Sequence, residues 1–402
     1  MPKKNNNCSI CGNRFDTKIS LGAHPCADTF LKKQRAAIHL KKIPLEVGFC
    51  KKCSHMTSIH PVSGYVRYQK HSYSYTSDNS PVSNKHFKDL AKKISSNLKL
   101  NKKNLVVEAG SNDGTFLKEI NLISKSRVIG IDPSPSMTRL SKLRKIKTFQ
   151  NFFDKNFAVK LKKKIGLADL FYAANVFNHV DSPKDFLEGV KRIIKDKGLV
   201  VIEVPDLSSL IKNTGFDTIY HEHRNYFSLF SIQKIFKNIG LKIIKVEKIP
   251  YMAGSLRIYS KKDPKAKNKV YFDKKFSTRD INIFKKNIKI VIKKMLKFVS
   301  EKNLQNKLVV GLGAATKGNT LLNMCKFNSK DIHYILEKSP HKIGKFTPGS
   351  GIPIISEELA TEFDVVIVLP WNISKYLLKK FKITNKNSFI SIQKVSADLK
   401  NV

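Results

Sequence analysis

The stretch from Leu105 to Ile120, Leu-Val-Val-Glu-Ala-Gly-Ser-Asn-Asp-Gly-Thr-Phe-Leu-Lys-Glu-Ile, is the feature that most constrains the fold of this chain. Leu105–Ala109 is a short apolar run carrying one acid, the pattern of a strand buried on both faces. Gly110 and Gly114 bracket a polar turn, and a helical pattern starts at Thr115. A strand, a glycine-containing turn and a helix start predict a ligand crevice at the carboxyl end of a parallel sheet. Asn112 stands where a dinucleotide-binding turn has its second glycine, and Glu108 and Asp113 would repel a pyrophosphate. A ligand carrying an ammonium and a sulfonium fits that charge better. The next apolar run, Arg127-Val-Ile-Gly-Ile-Asp132, ends in an acid placed to accept hydrogen bonds from ribose hydroxyls.

Further strands are predicted over 168–173 and 198–203, with helical patterns between, which gives a doubly wound, Rossmann-like parallel sheet. The third strand runs into Asn175-Val-Phe-Asn-His179-Val, so Asn175 and His179 fall near the reacting centre. The acidic crevice resembles the S-adenosylmethionine (SAM) site of a Rossmann-like methyltransferase. On that resemblance Glu108, Gly110, Ser111, Asn112, Asp113, Gly114, Asp132 and Asn175 bind the cofactor. The Asn-Pro-Pro-Tyr signature of amino-methylating nucleic-acid enzymes is absent from the Asn175 region.

Four of the six cysteines form two pairs, Cys8-x-x-Cys11 and Cys50-x-x-Cys53. Two such pairs offer four thiolates to one tetrahedral zinc ion and leave no open position for catalysis. Residues 12–49 separate the pairs and are expected to loop out. Within them, Leu21–Leu31 shows no obvious chemical role. An amphipathic helix is expected from about Asn84 to Leu98, after a tyrosine- and hydroxyl-rich segment, His71–Ser80, suited to lining a substrate pocket.

Farther on, Tyr220-His-Glu-His223 brings two imidazoles, a carboxylate and a phenol to a strand–helix boundary. This is a candidate for metal binding or, with a partner orienting the ring, for acid–base chemistry. A lysine-laced helical pattern spans 270–303. Beyond it Lys307–Gly313 and the Lys317-Gly-Asn319 turn begin a second strand–turn–helix unit, with further strands at Ile332–Leu336 and Asp364–Pro370. The turn is suited to a phosphate. The expected division is a zinc-binding domain over 1–75, a methyltransferase domain over 76–270, and a smaller Rossmann-like α/β domain with its linker helix over 271–402.

Lys and Arg total 75 against 31 acids, a formal charge of +44, but the lysines are scattered rather than clustered between aromatics. That weighs against a dedicated nucleic-acid footprint and leaves a general attraction for polyanions, nucleotide diphosphates included. No run of about 18 apolar residues and no signal pattern occur, so no membrane partner and a cytoplasmic location are expected.

Five blocks occur in order: the paired cysteines, Glu-x-Gly-Ser-Asn-Asp-Gly, Asn-Val-Phe-x-His-Val, Tyr-His-Glu-His-x-x-Tyr-Phe-Ser-Leu, and Gly-Ala-x-x-Lys-Gly-Asn-Thr-Leu-Leu-Asn. Together they resemble the sugar C-methyltransferases that act on nucleotide-linked 4-keto deoxysugars, at C-3 in antibiotic sugar pathways. The Leu21–Leu31 segment resembles the family's Leu-Gly-x-x-Pro-x-Ala-Asn-x-Phe-Leu, with Asp28 where asparagine is usual. Ala-Ala-Thr-Lys317 stands where the family more often has Ala-Pro-Ala-Lys or Ala-Ala-Ala-Lys. Neither departure is expected to touch the chemistry, whereas Phe177-Asn178, in place of Phe/Leu-Ala, is expected to alter the sugar pocket.

The resemblance implies an enolate mechanism. His223 is the general base, with Tyr220 and Glu222 beside it. His179 stabilises the enolate oxygen, and a tyrosine of the 73–75 segment, Tyr75, completes the catalytic set. Tyr73, Lys317 and Asn319 bind the nucleotide-diphosphate keto-deoxysugar. SAM and a structural zinc are the implied cofactors, no specific nucleic acid is a partner, and the protein is expected to be a monomer or weak homodimer. Rival readings are an O- or N-methyltransferase on a sugar nucleotide, a nucleic-acid methyltransferase or binding protein, and a catalytically silent scaffold.

Overall fold

The computed structural model of the 402-residue chain describes residues 4–70, 73–78, 80–262, 265, 267–359 and 362–399. His71 and Ser72 of the tyrosine-rich segment lie outside them. Three strands open the chain: β1 (Thr17–His24), β2 (Ile43–Cys50) and β3 (His55–Ser58). The central region adds β4 (Leu105–Ala109), β5 (Arg127–Asp132), β6 (Thr148–Gln150), β7 (Ala168–Ala174) and β8 (Ile194–Pro205), then β9 (Asn225–Phe227), β10 (Lys242–Ile249) and β11 (Ser255–Lys261). The last region carries β12 (Val309–Leu312), β13 (Ile335–Glu337), β14 (Ile354–Ser356), β15 (Val365–Val368) and β16 (Phe389–Ile390).

The central sheet has the order β10-β11-β8-β7-β4-β5-β6. Six of its seven strands run in one direction, and β11 runs antiparallel to both neighbours, in register Ile258↔Ile202 with β8. β4 is buried at every position, because helices cover both faces of a parallel sheet. The chain steps from β4 outward through β5 and β6, then returns to place β7 on the other side of β4. The order therefore reverses between β4 and β7, and a ligand crevice opens at their carboxyl ends. The smaller sheet, β14-β13-β12-β15-β16, is wholly parallel.

The amphipathic helix after the tyrosine segment spans Pro81–Leu98. Ser80 accepts from the Ser83 N–H at its start, Pro81 sits in its first turn, and left-handed Lys99 ends it. The helix expected over 270–303 starts later, at Thr278, where Ser277 and Asp280 form a reciprocal capping box. Residues 270–277 form neither helix nor strand, and the Tyr271 N–H donates instead to Gln233 Oε1 at 2.7 Å. The strand expected at Ile332–Leu336 begins only at Ile335, and that at Asp364–Pro370 is confined to Val365–Val368.

Residues 12–49 do not loop out. They supply β1 and β2, with Cys50 as the last residue of β2, so the two cysteine pairs meet because the strands return the chain. β3 then pairs with β9, in register Met56↔Tyr226, so the N-terminal sheet gains its fourth strand from the segment that follows His223. Ile19, Phe49 and Met56 of this sheet share one apolar core with Phe284, Ile288 and Val291 of the long helix and with Val309 and Trp371 of the C-terminal region.

Candidate active site

A cavity of about 620 Å³ runs from the switch point of the central sheet to that of the C-terminal sheet. At the first end, the β4 turn builds a cradle. Gly110 has φ +66°, and a Cβ there would lie 2.0 Å from Val176 Cγ2, so only glycine fits between turn and wall. Asp132 Oδ2 accepts from the Asn112 N–H at 2.9 Å, and Oδ1 accepts from the Ser134 N–H at 2.9 Å. Burial pushes the Asp132 carboxyl up to about 6 despite those bonds. Glu108, with Oε2 buried and without a hydrogen-bond partner among the described residues, is raised well above the carboxylate range by burial and then by Asp113 and Asp132. Such crowded, desolvated acids would be relieved by a cation, and Phe152 and Phe153 offer apolar walls beside them. The cradle thus fits SAM. Gly110, Asn112, Asp132 and Asn175 line the cavity, whereas Glu108, Ser111, Asp113 and Gly114 build the turn behind it. Asp113, for example, is spent on Thr115, whose hydroxyl donates to its Oδ1 at 2.7 Å.

Two histidines face each other in the middle of the cavity, ring centroids 4.7 Å apart and nearly perpendicular. His223 Nδ1 lies 2.7 Å from the Thr218 carbonyl oxygen. A carbonyl only accepts, so Nδ1 carries the hydrogen and Nε2 presents a lone pair, to which Tyr220 donates at 2.8 Å. Burial, with a smaller push from Lys317, lowers the His223 pKa to about 4. His179 is driven well below the usual range by burial, by His223 and by Arg67. Both rings are therefore neutral near pH 7.

Lys317 also lines the cavity. Its Nζ sits 3.9 Å from the centroid of Trp371, and the Trp371 indole N–H donates to Asp217 Oδ2 at 2.8 Å. Burial lowers the lysine to about 8, against the pull of Asp217. Asn319 is not part of the lining. Its Nδ2 donates to the Ala27 carbonyl oxygen at 2.7 Å, which ties the C-terminal helix to the N-terminal region. Glu222 reaches the cavity wall, but its Oε1 accepts from the Asp28 N–H at 3.1 Å rather than meeting His223. Burial and the neighbouring Asp28 push Glu222 up to about 7.

The tyrosine segment closes one side. Tyr73 and Tyr75 both line the cavity, and the Tyr75 hydroxyl is 3.4 Å from that of Tyr251. Asn112 clamps the segment onto the cofactor turn, donating from Nδ2 to the Tyr75 carbonyl oxygen at 3.0 Å and accepting from the Ser77 N–H at 3.0 Å.

Leu21–Leu31 is not idle, because Asp28 lines the cavity. Its carboxylate accepts from the Ser74 hydroxyl at 2.6 Å and from the Thr316 hydroxyl at 2.8 Å. The two departures from the family pattern, Asp28 and Thr316, are thus bonded to each other. Phe177 and Asn178 do not shape the pocket. Phe177 is fully buried and stacks on Phe227 at 4.6 Å, and the Asn178 carbonyl accepts from the Arg224 and Asn225 N–H groups. Sequence reasoning missed Asp28 and Tyr68 as cavity residues, and Trp371 as the ring beneath Lys317. Only the aromatic and acidic residue types hinted at them, since their partners are far away in the chain.

The four paired cysteines place their sulfurs within 4.8 Å of one another, and Cys11 Sγ and Cys50 Sγ are 3.7 Å apart. Zn–S bonds of about 2.3 Å in a tetrahedron put sulfurs about 3.8 Å apart, so the set fits zinc with every position filled.

Three family descriptions match the chain in succession: a zinc binding domain over residues 8–64, a methyltransferase domain over 83–246, and a C-methyltransferase C-terminal domain over 251–392. The C-methyltransferase NovU of Streptomyces niveus is 28% identical over 401 residues, covering 95% of this chain and 94% of the relative. The uncharacterized protein MJ1123 of Methanocaldococcus jannaschii is 25% identical over 149 residues, 35% of this chain and 65% of that protein. Among solved structures, a SAM dependent methyltransferase from Aquifex aeolicus covers 45% of this chain and 93% of its own, at 20% identity and a TM-score of 0.34. The chain is a SAM-dependent methyltransferase carrying the C-methyltransferase domain arrangement, with a zinc centre at its N-terminus.

Proposed function

We propose that this SAM-dependent methyltransferase, taken as a C-methyltransferase acting on a small molecule, methylates the carbon beside the ketone of a nucleotide-linked 4-keto deoxysugar, at C-3, through an enolate. The observation that carries the reading is the neutral histidine pair beside the cofactor cradle, with His223 Nε2 free of hydrogen and accepting from Tyr220. A carbon acid needs a base that is unprotonated at working pH and a donor for the oxygen that gains charge. His223 Nε2 takes the proton from C-3, and the C–H electron pair moves onto the ketone oxygen as the enolate. His179 stabilises that oxygen. The Tyr220 hydroxyl, which donates to Nε2 at 2.8 Å before reaction, turns away to free that lone pair for the proton. Tyr75 and Tyr73 close the sugar pocket.

Bound SAM supplies an electrophilic methyl carbon, which leaves its neutral sulfide with the electron pair of the broken bond. Gly110, Asn112, Asp132 and Asn175 would hold it against the turn formed by Glu108, Ser111, Asp113 and Gly114. After transfer, His223 returns its proton to solvent. The Lys317 ammonium, buried beside the base, favours the charge that develops on the sugar, while Lys338 and Lys380 on the C-terminal wall meet the diphosphate. Asn319 and Glu222 act from behind, through Ala27 and Asp28.

Incubating the protein with SAM and a panel of 4-keto-6-deoxy sugar nucleotides tests the proposal. The expected product gains one methyl, attached by carbon NMR to C-3. A methyl on oxygen or nitrogen would replace the enolate reading by O- or N-transfer.

A further inference from the structure

We propose that Tyr68 is a positioning residue that fixes His179 as the Nε2–H tautomer, so that the two facing histidines present opposite faces to the substrate. This rests on the enolate reading for its function but not for its geometry. Tyr68 ends the short Gly64–Tyr68 helix and lines the cavity. Its hydroxyl is 2.7 Å from His179 Nδ1. Either atom can donate in such a contact, and the surroundings decide which does. The neighbouring Arg67 Nη1 donates to the same hydroxyl oxygen at 3.5 Å and to the His179 carbonyl oxygen at 2.7 Å. A guanidinium only donates. Among the described residues, the sole acceptor within reach of the Tyr68 O–H is therefore His179 Nδ1. Were Nδ1 to carry the hydrogen, two donors would face the phenol oxygen and the half-buried O–H would be left without a protein acceptor.

Tyr68 thus donates, Nδ1 accepts, and the hydrogen sits on Nε2. Arg67 is anchored by Asp181, to which Nη2 donates at 2.9 Å, so its charge is fixed beside the pair. That charge also disfavours protonating His179 on both nitrogens. His179 Nε2 has no bonding partner among the described residues, and His179 lines the cavity, so the N–H is available to an oxyanion. Across from it, the Thr218 carbonyl enforces the other tautomer on His223. A phenol on one side and a carbonyl on the other give two chemically identical rings the roles of donor and base. Aromatic packing holds the phenol in place, since Tyr73 and Phe152 meet Tyr68 edge-on at 5.4 and 6.3 Å.

The test uses the full-length zinc-loaded protein with ¹⁵N-labelled histidine. Two-bond ¹H–¹⁵N spectra report which nitrogen of each ring is protonated, with His179→Gln identifying the His179 signals. The wild-type spectrum is expected to show His179 as Nε2–H and His223 as Nδ1–H. In Tyr68→Phe, the His179 signals are expected to shift toward a tautomer mixture while those of His223 stay in place. Turnover in that variant should fall about tenfold, a fraction of the loss for a removed oxyanion donor, with KM for SAM unchanged. A wild-type His179 carrying its hydrogen on Nδ1 overturns the proposal even if the variant does not fold, as does a Tyr68→Phe protein with an unaltered His179. Should the wild type carry out no methyl transfer, the enolate reading fails and the spectra still decide the tautomers.

Discussion

His223 and His179 are the same side chain in the same cavity, and their neighbours make them different. The Thr218 carbonyl, on the His223 side, and the Tyr68 phenol, on the His179 side, are the residues that matter. Because burial lowers His223 from 6.5 to about 4, the base stays unprotonated between those values, where an exposed histidine would already be charged. The limb of the kcat/KM profile that reports Nε2 taking a proton should therefore lie near 4 rather than 6.5. Lys317, lowered to about 8, loses its charge above that value, so activity should decline there, and Lys317→Met should show a low rate with no alkaline limb. Stopped-pH initial rates check both arms. His223→Ala should lower turnover by about a thousandfold or more with folding retained, read by circular dichroism beside the rate assay. His223, His179 and Asp132 were legible because they sit in dense local motifs. Asp28 and Tyr68 were not, since each acquires meaning only from a partner distant in sequence.

At the scale of elements, the pairing of β3 with β9 is the arrangement with the most consequence. The zinc centre closes the turn before β3, and β3 holds β9, the strand that begins two residues after His223. Removing zinc should therefore reach the active site. With chelator, or with Cys53→Ser, we expect a clear drop in Tm and a loss of turnover larger than any change in SAM affinity, read by thermal shift and calorimetry. The cysteine spacing announced the metal. It said nothing of where the knuckles dock, because a strand partner supplied from far along the chain leaves no local signal.

The Asp28–Thr316 bond makes a similar point. The two departures looked harmless one at a time, but they form one contact between the N-terminal region and the C-terminal turn. A double-mutant cycle with Asp28→Asn and Thr316→Ala should give a coupling of about 0.5–3 kcal/mol in unfolding free energy. Additive effects would mean that the bond is incidental.

The whole molecule brings three sheets together around one cavity, and the charge of +44 surrounds it. The alternation of strands and helices made the two parallel sheets legible. The common core of the N-terminal sheet and the long helix was not, since periodicity gives the buried face of an element and not its partner. No helix among the described residues is long and apolar enough to cross a membrane. With lysines spread over the surface, an anionic sugar nucleotide should associate faster at low ionic strength. Its kcat/KM should fall several-fold between about 0.02 and 0.3 M salt, whereas the affinity for SAM, a cation in an acidic cradle, should not fall in parallel. Steady-state kinetics across a salt series measure both.

The central claim, that a neutral histidine pair makes an enolate beside a ketone, is tested most directly without any methyl donor. In deuterium oxide, with a 4-keto-6-deoxy sugar nucleotide and no SAM, the protein should exchange the hydrogen at C-3 for deuterium, and His223→Ala should not. The exchange is read by proton NMR as loss of the C-3 signal. Methyl transfer to carbon without such exchange, under conditions where the base is open to solvent, would contradict the enolate account.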